Sequence, residues 1–179
     1  MLPDRYLSPI LARLQPKAPT MIIRPLASAD LCAVAALWND VIRASAITFT
    51  TEEKTLPALV DWLAAGPPRI AAEGPDGALL GFVAAGPFRG GPGYARTWEH
   101  SIFVTEPAKG RGIGAALMDA MQGAARAQGI GSLIGGISGA NVAAQAFHAR
   151  LGFVEVGRIP RAGWKFDRWL DLVLMQRLL

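Results

Sequence analysis

Glu99 is an isolated carboxylate in an otherwise apolar run, Trp98–Val104. Shortly after it a glycine-spaced loop, Lys109-Gly-Arg-Gly-Ile-Gly114, opens into an alanine-rich helix. Where a helix begins, backbone N–H groups lack intrahelical partners and the dipole presents its positive end, so the loop invites an anion. Gly110, Gly112 and Gly114 carry no Cβ and let the backbone close on bulky phosphates. A phosphate cradle near a lone acid reads as a phosphorylated cofactor held beside a general base. Burial in an apolar strand would raise the Glu99 pKa toward the range such a base needs.

Other glycine loops fit less well. Gly110-x-Gly112-x-x-Ala115 can be forced into the dinucleotide fingerprint, but that motif needs an acid about 20 residues on. No Asp or Glu occurs between Asp119 and Glu155. The Gly-Lys-Ser/Thr ending of the nucleoside-triphosphate loop is also absent. A plain strand-to-helix turn remains the alternative, although it requires fewer glycines than stand here.

Two histidines and one cysteine complete the chemically active set. Asn141 and His148 lie two turns apart on one helical pattern and therefore share a face. His100 follows Glu99 and should point to the opposite side of the strand, where a structural role is expected. Cys32 falls in a helical pattern and reads as a small buried apolar residue. A single cysteine rules out an internal disulfide framework and an all-cysteine metal site, and no metal site is expected.

The elements that must position these residues alternate along the chain. Met21–Leu26 reads as a strand, and Ser28 as the N-cap of a helix reaching Val41. A loop over 46–51 leads to a helix over Leu56–Ala65 that stops at Gly66-Pro-Pro. Strands Arg69–Glu73 and Leu79–Phe88 flank the turn signature Gly74-Pro-Asp-Gly77. Arg89–Arg96 is glycine-rich and irregular, and strand Trp98–Val104 follows. Helix Gly112–Gln128 closes on Gly129 as its C′ residue. Strand Ser132–Ile137, helix Asn141–Arg150 and strands Phe153–Ile159 and Trp169–Arg177 complete the pattern. Strands first, then strands alternating with helices, imply a mixed α/β sheet in one domain over residues 21–179. Residues 1–20 are proline-rich, show no sustained period and read as an N-terminal extension.

Composition bounds the function. A chain of 179 residues that is 51% apolar and 18% charged is long enough for one well-buried core and is not a disordered composition. Of the net charge of +4, +2 lies in the extension, from Arg5, Arg13 and Lys17 against Asp4. No basic stripe interleaved with aromatics is present, so nucleic acid is not an expected partner. No apolar run approaches the ~18–20 residues of a membrane span, and the N-terminus lacks the pattern of a secretory signal. A soluble cytoplasmic protein is the expectation.

Lys109-x-x-Gly112-x-Gly114, after a strand and opening a helix, resembles the Gln/Arg-x-x-Gly-x-Gly/Ala motif of the GNAT acyl-CoA N-acyltransferases. Lysine in first place is a mild departure. Asn141, Phe147, His148 and Leu151-Gly-Phe153 resemble that family's downstream helix and turn. Several further segments stand in the order seen in its phosphinothricin and methionine sulfoximine acetyltransferase branch. They are Thr48-Phe49-Thr-Thr-Glu52, Pro87-Phe-Arg89, Tyr94, Glu99-His-Ser101, Ser138-Gly-Ala-Asn141 and Arg168-Trp-Leu-Asp-Leu172. The glycine-thinned loop at Gly90, Gly91 and Gly93 and the large Trp98 depart from it on the acceptor side.

The resemblance implies a GNAT-like α/β domain, a mostly antiparallel mixed sheet of about seven strands flanked by helices. It implies an acetyl-CoA-dependent N-acetyltransferase acting on the α-amine of a small amino-acid analogue. Phosphinothricin, methionine sulfoximine or methionine sulfone would be such acceptors. Lys109, Gly110, Arg111, Gly112, Ile113, Gly114 and Ala115 would hold the pyrophosphate, and Asn141 would hydrogen-bond the cofactor or cap its own helix. Ile102, Phe103 and Val104 would line a splayed strand edge that pairs with pantetheine. Glu99 would be the base, against a structural pairing with Arg96. His148 would stabilise or protonate the leaving thiolate, against a satisfied helix histidine. Arg89 and Tyr94 would meet an acceptor carboxylate, with Phe49 as an apolar wall. Gly163-Trp-Lys-Phe166, before the last strand, would contribute to a homodimer. Another small amine or a protein N-terminus as acceptor, or an acyl-CoA sensor without turnover, stays open; a pure binder needs neither Glu99 nor His148.

Overall fold

The computed structural model describes residues 21–179, so the extension over 1–20 lies outside the described residues. The chain runs β1 (Ile22–Pro25), α1 (Leu31–Ala44), α2 (Leu56–Ala64), β2 (Arg69–Glu73), β3 (Leu79–Pro87) and β4 (Thr97–Val104). It continues through α3 (Ile113–Ala127), β5 (Ser132–Ser138), α4 (Val142–Arg150), β6 (Val154–Lys165) and β7 (Arg168–Leu178). The strands form one seven-stranded sheet in the order β1-β2-β3-β4-β5-β7-β6. Neighbours are antiparallel except the β4–β5 pair, which is parallel.

Each face of the sheet is covered by helices whose apolar residues recur at helical spacing. On one face α3 buries Ile113, Leu117, Met118, Met121 and Ala125 against Val83, Trp98, Leu133 and Val173. On the other, Val34 of α1 and Leu59 of α2 close over Phe82 and Phe103, whose rings stack with centroids 5.2 Å apart. Each fully buried side chain of this size contributes about 1.5–3 kcal/mol of transfer free energy. α3 ends where Gly129 takes φ +72 and Ile130 N–H returns to the Ala125 carbonyl at 3.0 Å, as the Gly129 signal anticipates.

Three local expectations need correction. Ser28 does not cap α1: residues Ser28–Asp30 form a 3-10 turn, and the Asp30 carboxylate accepts the Ala27 N–H at 2.8 Å. That carboxylate also takes two hydrogen bonds from Arg24, at 2.7 and 2.8 Å, so it outcompetes the serine hydroxyl. Cys32 is exposed, not buried, because Leu31 and Val34 take the inward face of α1. β6 does not stop at Ile159. It slips register between Ile159 and Gly163, with Arg161 at φ +53 donating its N–H to Asp171 Oδ1 at 2.9 Å, and runs on to Lys165.

β4 carries the feature that matters most for the site. It pairs with β5 only from Thr97 to His100, while Ser101–Val104 continue beside β3. The two parallel strands diverge there, leaving the backbone of Ser101–Val104 unpaired on the β5 side.

Candidate active site

Two cavities meet at the divergence of β4 and β5. One, of about 1010 Å³, is walled by Ile102–Val104, Lys109, Gly110, Gly112, Ile113 and Gly114 on one side and by α1 and α4 on the other. The second, of about 380 Å³, is enclosed by Ile47–Thr50, Glu99, His100, Gly135–Ser138 and Leu172. Both touch Ile102, Phe103, Asn141 and His148, so the splayed edge and the inner face of α4 form their common boundary.

The glycine loop builds the mouth of the larger cleft. Gly110 and Gly112 adopt φ +74 and +81, conformations that L side chains rarely take, and Gly112 is the N-cap of α3. A Cβ on either would meet nothing within 4 Å, so the surface above the first-turn amides is open. Gly114 serves packing instead: a Cβ there would lie 3.1 Å from the Phe147 ring. Lys109 forms an ion pair with Glu106. Arg111 and Ala115, expected in the anion site, are exposed and do not line the cleft.

Glu99 faces the smaller cavity, as strand alternation requires with His100 turned inward. No ion pair joins it to Arg96 among the described residues. More than a third of the residue is accessible, through the cavity, while the rest is covered by protein. That partial burial raises its pKa above the ordinary carboxylate range, and the charge of nearby Arg89 opposes the shift. A Cβ on Gly136 would stand 2.8 Å from Glu99 Oε1, so β5 makes room for the carboxylate by omitting a side chain.

The neighbouring glycine does the same for two imidazoles. A Cβ on Gly135 would be 3.2 Å from His100 Cε1 and 3.5 Å from His148 Nε2. The rings join through their Nε2 atoms at 3.0 Å, and His148 Nδ1 lies 2.8 Å from the Ala144 carbonyl. A carbonyl only accepts, so the network assigns the proton of neutral His148 to Nδ1, leaving its Nε2 to accept from His100. Nδ1 of His100 is then a buried lone pair without a hydrogen bond. Burial, then the proximity of His148, pushes His100 down to about 3, opposed by the Ile134 carbonyl, which is not aligned as a hydrogen bond. Burial also lowers His148, opposed by its bond to Ala144.

Asn141 caps α4, its Oδ1 accepting the Ala144 N–H at 3.1 Å, and the residue lines both cavities. Phe49 lines the smaller cavity. Arg89 and Tyr94 are outside its lining, Tyr94 being about half exposed at 47%. The inference from residue types alone missed Gly135, Gly136 and buried Lys165. Paired glycines inside a strand pattern were the available signal for the first two, since they mark a close approach.

Residues 35–153 match the model of the Acetyltransferase (GNAT) family. The chain belongs to that family. It is 35% identical, over 86% of its length and 92% of the relative's, to an L-methionine sulfoximine/L-methionine sulfone acetyltransferase of Pseudomonas paraeruginosa. It is 33% identical to a phosphinothricin N-acetyltransferase of Streptomyces coelicolor, covering 87% and 94% of the two chains. A GNAT phosphinothricin acetyltransferase from Sinorhizobium meliloti, solved with acetyl-CoA, superposes with a TM-score of 0.85 at 30% identity over 89% of each chain. The protein is thus an acetyl-transferring enzyme with the GNAT fold. Among the described residues no helix is long and apolar enough to cross a membrane.

Proposed function

We propose that this GNAT enzyme moves the acetyl group of acetyl-CoA to the α-amine of a small amino-acid analogue of the methionine sulfoximine, methionine sulfone or phosphinothricin type. The observation that carries the reading is the meeting of the two cavities at Ile102, Phe103, Asn141 and His148, which sets the Glu99 chamber at the end of a cleft starting from the glycine loop. The names of the relatives support the acceptor class.

The chain's residues fit a CoA-type ligand. The unpaired edge of Ile102–Val104 offers hydrogen-bonding groups to an extended amide chain. The first-turn amides of α3, reached over Gly110 and Gly112, suit a pyrophosphate, with Lys109, Ile113 and Gly114 beside them in the cleft lining and Arg111 and Ala115 outside it. The Asn141 amide donates from across the cleft. Acetyl-CoA supplies the activated thioester; an N–H of the β4 edge polarises its carbonyl.

Glu99 removes the proton of the acceptor ammonium, directly or through water, and its raised pKa suits it to that task. The freed amine forms the N–C bond as the C–S bond breaks. His148, at the boundary of the cavities, serves the departing thiolate. Its Nδ1–H is held by Ala144 and its Nε2 by the His100 N–H. It therefore delivers a proton only after the two rings part and Nε2 takes up the proton that Glu99 removed; burial then makes the charged ring release it readily. Phe49 walls the chamber, and Arg89, whose charge is felt at Glu99, is assigned with Tyr94 to meet the acceptor carboxylate from outside the chamber lining. A homodimer belongs to the same reading. Its support is the exposed apolar surface of the last hairpin, with Val156, Ile159, Trp164 and Trp169 each about half accessible.

The test is thiol release from acetyl-CoA against methionine sulfoximine, methionine sulfone, phosphinothricin, common amino acids and polyamines. Turnover confined to the first three is expected. Turnover confined to other amines, or acetyl-CoA binding without turnover, overturns the acceptor assignment.

A further inference from the structure

Along β6 one side chain alone is buried, and it is a cation. Lys165 is 4% exposed at the strand's end, yet no carboxylate of the described residues forms an ion pair with it. Its Nζ donates instead to the Thr48 carbonyl at 2.9 Å, across 117 residues of sequence. Burial lowers its pKa, and the Phe166 ring lies 5.2 Å from the ammonium. A buried unpaired ammonium is costly to hold, so its location calls for a use. Two residues earlier, Gly163 faces the same segment: a Cβ there would stand 2.3 Å from Cδ2 and 2.7 Å from Cγ of Phe49. β6 therefore meets 48–49 twice, by a donated hydrogen bond and by a surface cleared for a ring.

Thr48 and Phe49 belong to a segment without helix or strand, between α1 and α2. Little in its own backbone fixes it, yet Ile47–Thr50 wall the chamber that Glu99 faces. We propose that Lys165 and Gly163 are positioning residues that seat Thr48–Phe49 as the acceptor-side wall and so set acceptor selectivity. They touch neither the cofactor cleft nor the Glu99 carboxylate; they act through Phe49. The inference rests on the chamber being the acceptor pocket.

The experiment compares the full-length enzyme with Lys165→Met, Lys165→Gln, Gly163→Ala and the double variant Gly163→Ala with Phe49→Leu. Two readouts are used: amide hydrogen exchange in the peptide covering 46–51, and KM for acceptor and for acetyl-CoA with whichever acceptor the panel turns over. Loss of a charge-assisted hydrogen bond predicts about a tenfold rise in acceptor KM for Lys165→Met, with faster exchange over 46–51 and acetyl-CoA KM within about twofold. Lys165→Gln keeps an N–H donor and restores most of the effect. Gly163→Ala matches Lys165→Met. In the double variant the smaller leucine relieves the clash, so exchange over 46–51 returns toward wild type while acceptor KM stays raised, because the Phe49 wall itself is gone. Unchanged exchange in folded Lys165→Met and Gly163→Ala, or equal rises in both KM values, overturns the proposal. If no acceptor is turned over, the exchange arm still decides the seating, and the failure counts against the acceptor reading alone.

Discussion

The cofactor cleft and the acceptor chamber share a boundary but are made of different material. The hydrogen-bonding surface of the cleft is backbone, the unpaired edge of Ser101–Val104 and the first-turn amides of α3 within one contiguous stretch of chain, faced by side chains of α1 and α4. The chamber is made of side chains, and of their omission, gathered from the 46–50 loop, β4, β5, α4 and β7. Peptide groups are the same whatever side chains they carry, so the cleft depends on conformation at a few glycines. The chamber depends on volumes fitted to tenths of an ångström, as at Gly135 and Gly136. Substitutions should therefore separate cleanly into those that alter cofactor binding and those that alter acceptor chemistry.

Glu99→Gln should give the largest separation. Loss of a general base predicts a fall in kcat of about 10²–10⁴-fold, with acetyl-CoA KM little changed, in steady-state assays. The wild-type acceptor kcat/KM should decline as pH falls through the raised Glu99 pKa, at a higher pH than an ordinary carboxylate would give, because the base must be unprotonated. An equal effect on both substrates would show that the halves are not independent.

The histidine pair sharpens the comparison through stability. Both rings have folded pKa values below the unfolded value, so below about pH 6.5 the unfolded chain binds more protons. Stability should fall as pH drops from about 6.5 toward the depressed values, by about 1.4 kcal/mol per pH unit for each ring fully engaged. Melting temperatures at pH 7.5, 6.5, 5.5 and 5.0, at about those spacings, should trace that decline, and His100→Leu should flatten it. A wild-type profile that is level down to about pH 5 would remove the neutral-pair description.

Gly112→Ala probes the cleft and carries the smallest effect. A Cβ meets no atom there, so the cost is that of φ +81 alone, about 1–2 kcal/mol. Acetyl-CoA KM should rise severalfold while acceptor KM holds; a matching rise in acceptor KM would contradict a backbone-built cofactor site.

Legibility in the sequence follows the same division. The glycine loop opening α3 and the alternation that turns Glu99 to one side and His100 to the other are local, and both stand in the structure as the pattern implied. The last hairpin was less legible. Its turn places Phe166 and Asp167 at φ +52 and +53, the geometry of a two-residue type I′ turn, without the Asn-Gly signature that normally announces it. The strand expected to end at Ile159 continues to Lys165, because a bulge at Arg161 carries β6 past Pro160 and Gly163. Cys32 was misread because helical periodicity gives a face only to within one residue, and packing on the sheet decided which residues turned inward.

By itself the sequence determined what depends on neighbours along the chain: the strand that carries Glu99, the loop that opens α3, and the helix face shared by Asn141 and His148. Tertiary structure alone decided what depends on contacts distant in sequence. It closed His100 onto His148, 48 residues apart, cleared Gly135 and Gly136 beneath them and beneath Glu99, and carried Lys165 to the Thr48 carbonyl. Backbone periodicity and glycine conformation are local physics, whereas burial, pKa and fit arise only when separate segments exclude water together.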